Sequence, residues 1–426
     1  MHLRLTALAV CVVALAVAWP AVADERLTLD EAIGRVAQSH PDLRLFGPRR
    51  HVLDAELDRA GLRPAYTAGA TIENAFGSGE SSGLQSAELT LTLASVLERG
   101  GKLDARRTLA QSRIDALAVE RETRRLDLLA EVARRYLEVV AADRRARIAR
   151  SDIAQRQDAV VAARARHQAG ASPESVVLAA QATHARAELD LARALQQEIS
   201  ARQYLAALWG GSSPDFTVAD EADPLVLPVI DDFATLAQWL QRTPDIARFA
   251  DEQRIREARL QLAQSETRPD VDWQVGVRRL QATDDFGLIA GISMPLGSTR
   301  RADPDLRAAR AELASLEIER EATGLSLYST LADAHGRYRV AQLEVARIGS
   351  DILPQLARAG DAAAHAYRAG ATSHLEWAAL QAERTNARRQ QLDAALDAQR
   401  ALIEIQRLTG QPFVTGAAPA PQGDTP

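Results

Sequence analysis

The chain has 426 residues, of which 25 % are charged, 46 % hydrophobic and only 4 % aromatic. So few aromatic residues argue against a large compact core and favour extended helices packed through alanine and leucine. A net charge of −6 gives no reason to expect a nucleic-acid partner.

The first 23 residues have the pattern of a secretory signal peptide. A short basic start precedes an apolar stretch over residues 5–18, and Ala21-Val22-Ala23 forms a small-residue cleavage site. An uncleaved anchor is the alternative. The single cysteine, Cys11, lies inside this stretch, so the exported chain is expected to have no disulfide or thiol chemistry. No later segment approaches the ~20 apolar residues of a transmembrane helix.

The first half predicts two strands followed by two long helices. Alternating polar and apolar residues predict strands over about 65–76 and 84–95. Residues 102–169 contain neither glycine nor proline, and at ~1.5 Å rise per residue they predict a helix of about 100 Å. A second helix is predicted over 174–209, with a hairpin tip at Gly170–Pro173. Residues spaced by three and four form a narrow coiled-coil seam on the first helix: Val132, Tyr136, Val139, Ala142, Ala146, Ala149 and Ile153.

A different segment separates the two halves. Residues 212–243 are rich in proline and acidic side chains, and they predict a linker with one short helix packed outside the long helices. The second half then predicts two strands, over 270–281 and 285–296, and two helices, over 305–369 and 371–409. Pro304 opens the first of these helices, which is expected to be disturbed at Gly324, Gly336, Pro354 and Gly360. Residues 414–426 predict a disordered tail.

The two halves are copies of one plan. Residues 41–211 recur in altered form at 244–411, with His40-Pro41-Asp42-Leu43 returning as Thr243-Pro244-Asp245-Ile246. A period of about 200 residues is too long for a solenoid. We therefore predict a duplicated strand-strand-long helical hairpin, with repeats at 24–211 and 244–413, in one pseudo-symmetric subunit.

The four predicted strands have the length and alternation of outer-membrane β-strands. A half-buried hairpin in a soluble domain is the alternative. With the apolar residues turned to lipid, polar residues would line a barrel: Thr71, Glu73, Glu88, Thr90 and Asp272. Four strands cannot close a barrel, and unpaired strand edges are costly in lipid, so several subunits would have to share one barrel.

Several phrases in a fixed order resemble the TolC family of outer-membrane efflux proteins. They are Leu27-Thr28-Leu29-Asp30-Glu31-Ala32, the tip phrases His167–Ala171 and Tyr367–Thr372, and the helix ends Leu205–Gly210 and Gln406–Gly410. The resemblance covers nearly the whole exported length. It implies a mainly α fold with a membrane β-barrel portion: a homotrimer in outer-membrane lipid, with a 12-stranded barrel above an α-helical periplasmic tunnel. It also implies two partners, a periplasmic adaptor protein and an inner-membrane pump of the resistance-nodulation-division type.

Within that family, the segment Glu98–Arg106 resembles the phrase that follows the second strand in the heavy-metal, CzcC-like branch. Arg99 and Leu103 depart from that phrase. The alternative is a plain strand-to-helix turn, in which Gly100 and Gly101 supply special backbone angles and Lys102 starts a helix.

The sequence contains no catalytic or cofactor-binding constellation, and no enzyme is expected. Gly100-Gly101-Lys102 lacks the frame of a phosphate-binding loop. The eight histidines are scattered, without a cysteine partner or an H-E-x-x-H motif, so no resident metal is expected. His365 and His374 are best explained as solvent-exposed side chains.

An acidic ring at the tunnel entrance is the candidate functional site. Three subunits would turn one carboxylate each into a ring, and rings of Asp or Glu favour cations. Glu376 matches the tip position where members of the resembled family carry a gating aspartate, and Glu174 is the nearby acid of the first repeat. The alternative is a solvated acid in the first turn of a helix.

The leading hypothesis is a passive exit duct of a tripartite efflux system that carries heavy-metal cations. Organic drugs, or proteins secreted by a type I system, are the alternative cargoes. A periplasmic coiled-coil scaffold without a pore is the alternative from a different class.

Overall fold

A computed structural model describes residues 25–212, 214, 216–219 and 223–413. The predicted signal peptide at 1–23 and the predicted tail at 414–426 lie outside the described residues. Within the described ranges, no helix has both the length and the apolar character needed to cross a membrane.

The first half consists of a short strand, three helices, two strands and two long helices. These are β1 (Glu25–Leu27), α1 (Leu29–Ser39), α2 (Pro41–Arg44), α3 (Phe46–Ala60), β2 (Thr67–Glu73), β3 (Glu88–Leu97), α4 (Lys102–Gln168) and α5 (Glu174–Ala206). A 3₁₀ turn, Ala207–Trp209, extends α5.

The second half repeats the strand pair and the helical hairpin. Before it, the linker contains β4 (Phe216–Val218) and α6 (Phe233–Leu240). The elements of the second half are α7 (Pro244–Glu266), β5 (Val271–Leu280), β6 (Asp285–Ser293), α8 (Ser298–Arg347), α9 (Leu353–Arg368) and α10 (His374–Thr409). A π-helical turn, Ile348–Ile352, joins α8 to α9.

Matching glycines at the helix ends show why the two halves fold alike. Gly170 and Gly370 end the two hairpin tips with φ of 69° and 81°, and Gly210 and Gly410 end α5 and α10 with φ of 77° and 71°. Glycine adopts this left-handed conformation without the cost that a Cβ atom imposes, so it stops a helix at a defined residue.

The prediction that Pro304 opens the second long helix is wrong. α8 begins at Ser298, after Gly297 with φ 81°, and Pro304 lies inside it. There the missing N–H removes one hydrogen bond within the early turns of a 50-residue helix. Gly324 and Gly336 also lie within regular α8. The regular α-helix is interrupted just before Pro354. Because proline has no N–H to donate to the carbonyl four residues earlier, the hydrogen bonding changes there to the π-helical pattern of Ile348–Ile352.

The four long strands form one antiparallel sheet in the order β2-β3-β5-β6. Its central pair, β3 with β5, joins the two repeats, with Thr90 opposite Arg278. β2 and β6 form the edges. All four strands connect to helices at one end of the sheet, and the loops 74–87 and 281–284 lie at the other.

The core lies along α4, which packs against α5, α7 and α10. The predicted seam is buried from Val132 to Ala149, while Ile153 is half-buried. Alanine at three consecutive seam positions, Ala142, Ala146 and Ala149, lets the helix axes approach closely, so a long narrow core forms without many aromatic residues.

One buried tyrosine in each repeat fixes an outer segment to a long helix. The Tyr136 hydroxyl of α4 donates to the Leu27 carbonyl at 3.0 Å, and the Tyr338 hydroxyl of α8 donates to the Pro228 carbonyl. Burial raises the pKa of both tyrosines to about 12. Sequence reasoning missed that β1 pairs in parallel with β4, which attaches the N-terminal strand to the linker.

The short helix of the linker packs on the second repeat. Leu236 and Leu240 of α6 are buried against α8 and α10, where Leu331 and Leu402 belong to the same cluster. The linker therefore lies against the long helices at mid-length of the subunit.

Candidate functional site

The sheet has one polar and one apolar face. The register places all five predicted barrel-lining residues on the polar face: Thr71, Glu73, Glu88, Thr90 and Asp272. The opposite face carries exposed leucine, isoleucine, valine and phenylalanine side chains, among them Leu288, which is 91 % exposed. An apolar face of this kind has no partner within the described residues of a single subunit.

An arginine joins the polar-face acids at the loop end of the sheet. The Arg278 guanidinium lies 2.9 Å from Glu88 and 3.5 Å from Glu73, and its Nε donates to the Thr90 hydroxyl at 3.1 Å. Asn74 donates to the other oxygen of Glu88 at 3.0 Å. We call Arg278, Glu73, Glu88 and Thr90 the Arg278 cluster. The sequence predicted that Glu73 and Glu88 lie on the polar face but did not single out Arg278. Arg278 follows Asp272 by an even number of residues on β5, so the same alternation places it on that face.

The strand-to-helix turn after β3 joins the two repeats. Gly100 and Gly101 have φ of 82° and 76°, and a Cβ atom on Gly100 would lie 2.9 Å from the Ser265 carbonyl oxygen. The Lys102 ammonium lies 2.8 Å from Asp270 and 3.3 Å from Glu266. The turn is thus fitted closely against the connection between α7 and β5.

The pKa of Lys102 results from opposing effects. Burial acts to lower it, but hydrogen bonds and the negative charges of Asp270 and Glu266 outweigh burial and raise the pKa above its ordinary value. Lys102 is therefore a charged, paired side chain. Arg106 beside it is paired with Glu98 at 2.9 Å between Nη2 and Oε2.

The two helical hairpins end side by side. Arg166 of α4 donates to the Tyr367 carbonyl at 2.5 Å and lies 4.9 Å from the Tyr367 ring. Between the ends runs a groove of about 680 Å³, lined by small residues such as Ala165 and Gly370 and by the charged residues Asp158, Arg166 and Arg368.

The two gate candidates lie at these ends but are not joined to each other. Glu174 and Glu376 are exposed in the first turns of α5 and α10. The Glu376 backbone N–H donates to the Ser373 hydroxyl at 3.2 Å, and the Thr372 hydroxyl donates to the Glu376 carboxylate. Glu376 therefore also takes part in capping α10, as acids in a first helical turn commonly do.

The expectation that both tip histidines are solvent-exposed is wrong for His374. His365 is exposed, but His374 is half-buried, with ring centroids 5.7 Å from Tyr367 and 6.4 Å from Trp377. Burial, and then the positive charge of Arg156, lower the pKa of His374. The neutral ring packs with the aromatic side chains of the hairpin end.

A buried polar layer between α4 and α10 was also missed. Asp152 and Arg156 form an ion pair at 3.3 Å with side chains only 7 % and 10 % exposed, and the Thr385 hydroxyl donates to Asp152 at 2.8 Å. Arg388 donates to the Ser151 hydroxyl at 2.9 Å. The sequence signal for this layer was the oppositely charged pair Asp152 and Arg156, four residues apart beside the small-residue seam of α4.

Among the described residues, no group of three or more histidine, cysteine, aspartate or glutamate side chains is arranged to hold a metal ion.

Comparison with known proteins places these features in a family. Residues 34–211 and 235–411 match the outer membrane efflux protein family. The chain is 28 % identical over 319 residues to the cobalt-zinc-cadmium resistance protein CzcC of Cupriavidus metallidurans, covering 74 % of this chain and 75 % of that one. It is 26 % identical over 293 residues to the nickel-cobalt-cadmium resistance protein NccC of Alcaligenes xylosoxydans xylosoxydans, covering 66 % and 64 %. Among solved structures, the outer-membrane channel OprN superposes with a TM-score of 0.74 at 21 % identity, covering 90 % of each chain.

Proposed function

Because the chain belongs to the outer membrane efflux protein family, we propose that three copies of it form an exit duct for heavy-metal cations. The barrel would lie in the outer membrane, and the helical hairpins would extend into the periplasm. The duct is passive: its partners supply the driving force.

The two-faced sheet with open edges is the observation that carries this proposal. Its apolar face is exposed in the single subunit, and β2 and β6 are unpaired edges. A membrane barrel needs an apolar outer face and no free edges. Three sheets joined edge to edge, with Thr71 and Asp272 turned inward, meet both requirements.

Two observations support metal cations as cargo. The relatives CzcC and NccC are named for resistance to cobalt, zinc, cadmium and nickel. The Glu98–Arg106 segment resembles the corresponding phrase of the heavy-metal branch. Organic compounds and secreted proteins are the alternative cargoes.

The hairpin ends are where we place the partner contacts and the entrance. A periplasmic adaptor would meet the paired ends, and an inner-membrane pump of the resistance-nodulation-division type would deliver the cargo. In the trimer, Glu376 would contribute one carboxylate per subunit to a ring at this entrance, with Glu174 nearby.

A growth assay tests the cargo. A strain that lacks the gene is grown against graded Zn²⁺, Co²⁺, Cd²⁺, Cu²⁺ and Ag⁺, and against organic antibiotics and detergents. We expect sensitivity to metals only, restored by the intact gene but not by a copy that lacks residues 2–23. Sensitivity to the organic compounds alone would reject the metal cargo.

A bilayer recording separates the duct from a scaffold. The purified protein is expected to form ion-conducting pores in planar lipid bilayers. Purified trimers that leave the bilayer insulating would favour the non-pore scaffold instead.

A further inference from the structure

The Arg278 cluster lies at one end of the polar face. Glu73 is the last residue of β2 and Glu88 the first of β3, so the cluster borders the loops rather than the helices. With the hairpins in the periplasm, these loops face the cell exterior. The cluster would then lie where cargo leaves the duct.

Arg278 is held along the wall of the sheet. Its partner Glu73 lies on β2, two strands away from β5, and neighbouring strands are ~4.8 Å apart. The side chain must therefore run across the sheet, over Thr90, to reach both acids. On its other side β6 presents Gly287, which has no side chain.

We propose that Arg278 is a tethered counter-ion at the exit of the duct, which sets the charge of the exit ring and keeps its acids from retaining divalent cations. The inference rests on the proposed function, because it requires a trimeric barrel with the polar face inward. Two carboxylates and one guanidinium leave the cluster with one negative charge per subunit, and Asp285, in the same row of the sheet on β6, adds a second. The ring attracts cations, yet its carboxylates are already engaged by Arg278, so a passing cation is released readily.

The charge of the ring predicts what removing the arginine does. Twelve strands ~4.8 Å apart and tilted by ~40° give a barrel radius of about 12 Å. Removing Arg278 from three subunits leaves three additional negative charges at that radius. Screened over about one Debye length at 0.1 M salt, these charges raise the cation-to-anion permeability ratio by about threefold. The freed Glu73 and Glu88 would also bind Zn²⁺ and slow ion flow.

Single-channel recording in a KCl gradient, with and without millimolar Zn²⁺, tests the proposal. Arg278→Gln is expected to raise the permeability ratio and to make the pore sensitive to Zn²⁺ block. Glu88→Gln is expected to lower the ratio. The matched control is Arg279→Gln, which removes the same charge from the adjacent position on the apolar face and should behave as wild type.

Three outcomes overturn the inference. In the first, Arg278→Gln pores keep the wild-type permeability ratio and Zn²⁺ response. In the second, Arg279→Gln shifts the ratio instead, which means that the sheet faces the other way. In the third, the wild-type protein itself does not conduct, and then the proposed function fails as well. Should Arg278→Gln not assemble, Glu88→Gln carries the test, and an unchanged ratio for that variant also overturns the inference.

Discussion

Lys102 is a buried charged side chain at the junction between the sheet and the helices. Lys102→Met keeps most of the buried aliphatic stem but removes the ammonium between Asp270 and Glu266. The Lys102 side chain is 6 % exposed, whereas the side chains of Asp270 and Glu266 are 28 % and 50 % exposed. The two acids then lose the cation that is bonded to them, and only the charge of Arg106, which is itself paired with Glu98, still acts on both.

The expected loss of stability lies between two limits. An exposed ion pair contributes about 0.5 kcal/mol, and breaking a fully buried one costs about 3–5 kcal/mol. Because water can solvate the two acids partly but not the lysine site, we expect Lys102→Met to lower the free energy of unfolding by about 2 kcal/mol.

Denaturant unfolding of the purified protein in detergent measures this loss. The control is Arg107→Gln, which removes a positive charge from an exposed residue on the same helix and should change stability by less than about 0.5 kcal/mol. Equal midpoints for Lys102→Met and the control would refute the reasoning.

The contribution of Lys102 has a defined alkaline limit. A raised lysine pKa stabilises the fold fully below the unfolded-state value of about 10.4, and that stabilisation is lost as the pH rises through the higher folded value. The stability difference between wild type and Lys102→Met should therefore stay constant around neutral pH and shrink only above about pH 10.5. A difference that already disappears near pH 8 would contradict the assignment.

Glu376→Gln is expected to leave assembly intact and to lower the cation preference of the pore, measured as a reversal potential in a KCl gradient. An unchanged potential would reduce Glu376 to its capping role. Asp152→Asn leaves the buried Arg156 without its carboxylate and is expected to cost about 3 kcal/mol, detected as faster proteolysis near the hairpin ends. Wild-type resistance to protease would contradict this. Tyr338→Phe removes the hydroxyl that donates to the Pro228 carbonyl and should cost about 1 kcal/mol in denaturant unfolding. No change in the midpoint would show that this bond adds nothing to stability.

Much of the fold could be predicted because periodic patterns and glycines act locally. Alternation along 271–280 and the glycine-free, proline-free run over 102–168 each specify one kind of element. The order of the family phrases, together with the duplication, then predicted the architecture shared with outer membrane efflux proteins.

The missed features depend on contacts between distant parts of the chain. β1 is three residues long, and its partner β4 follows almost two hundred residues later, so no local pattern reveals the pairing. The half-buried position of His374 depends on how α9 and α10 pack, and the partners of Arg278 lie on other strands. Glu376 was singled out by its position after Gly370; its capping contact was missed, although the Ser373-x-x-Glu376 spacing is typical of a helix start.

The most direct test of the central claim is cysteine accessibility inside the pore. The only cysteine of the chain, Cys11, lies in the predicted signal peptide, so a cysteine introduced elsewhere can be labelled selectively. Thr71→Cys places a thiol on the polar face, and Ile72→Cys places one on the apolar face of the same strand. A charged methanethiosulfonate reagent added to single channels is expected to reduce the conductance of Thr71→Cys pores and to leave Ile72→Cys pores unchanged. Block of the Ile72→Cys pores alone, or no conductance from any of these proteins, would contradict a duct lined by the polar face.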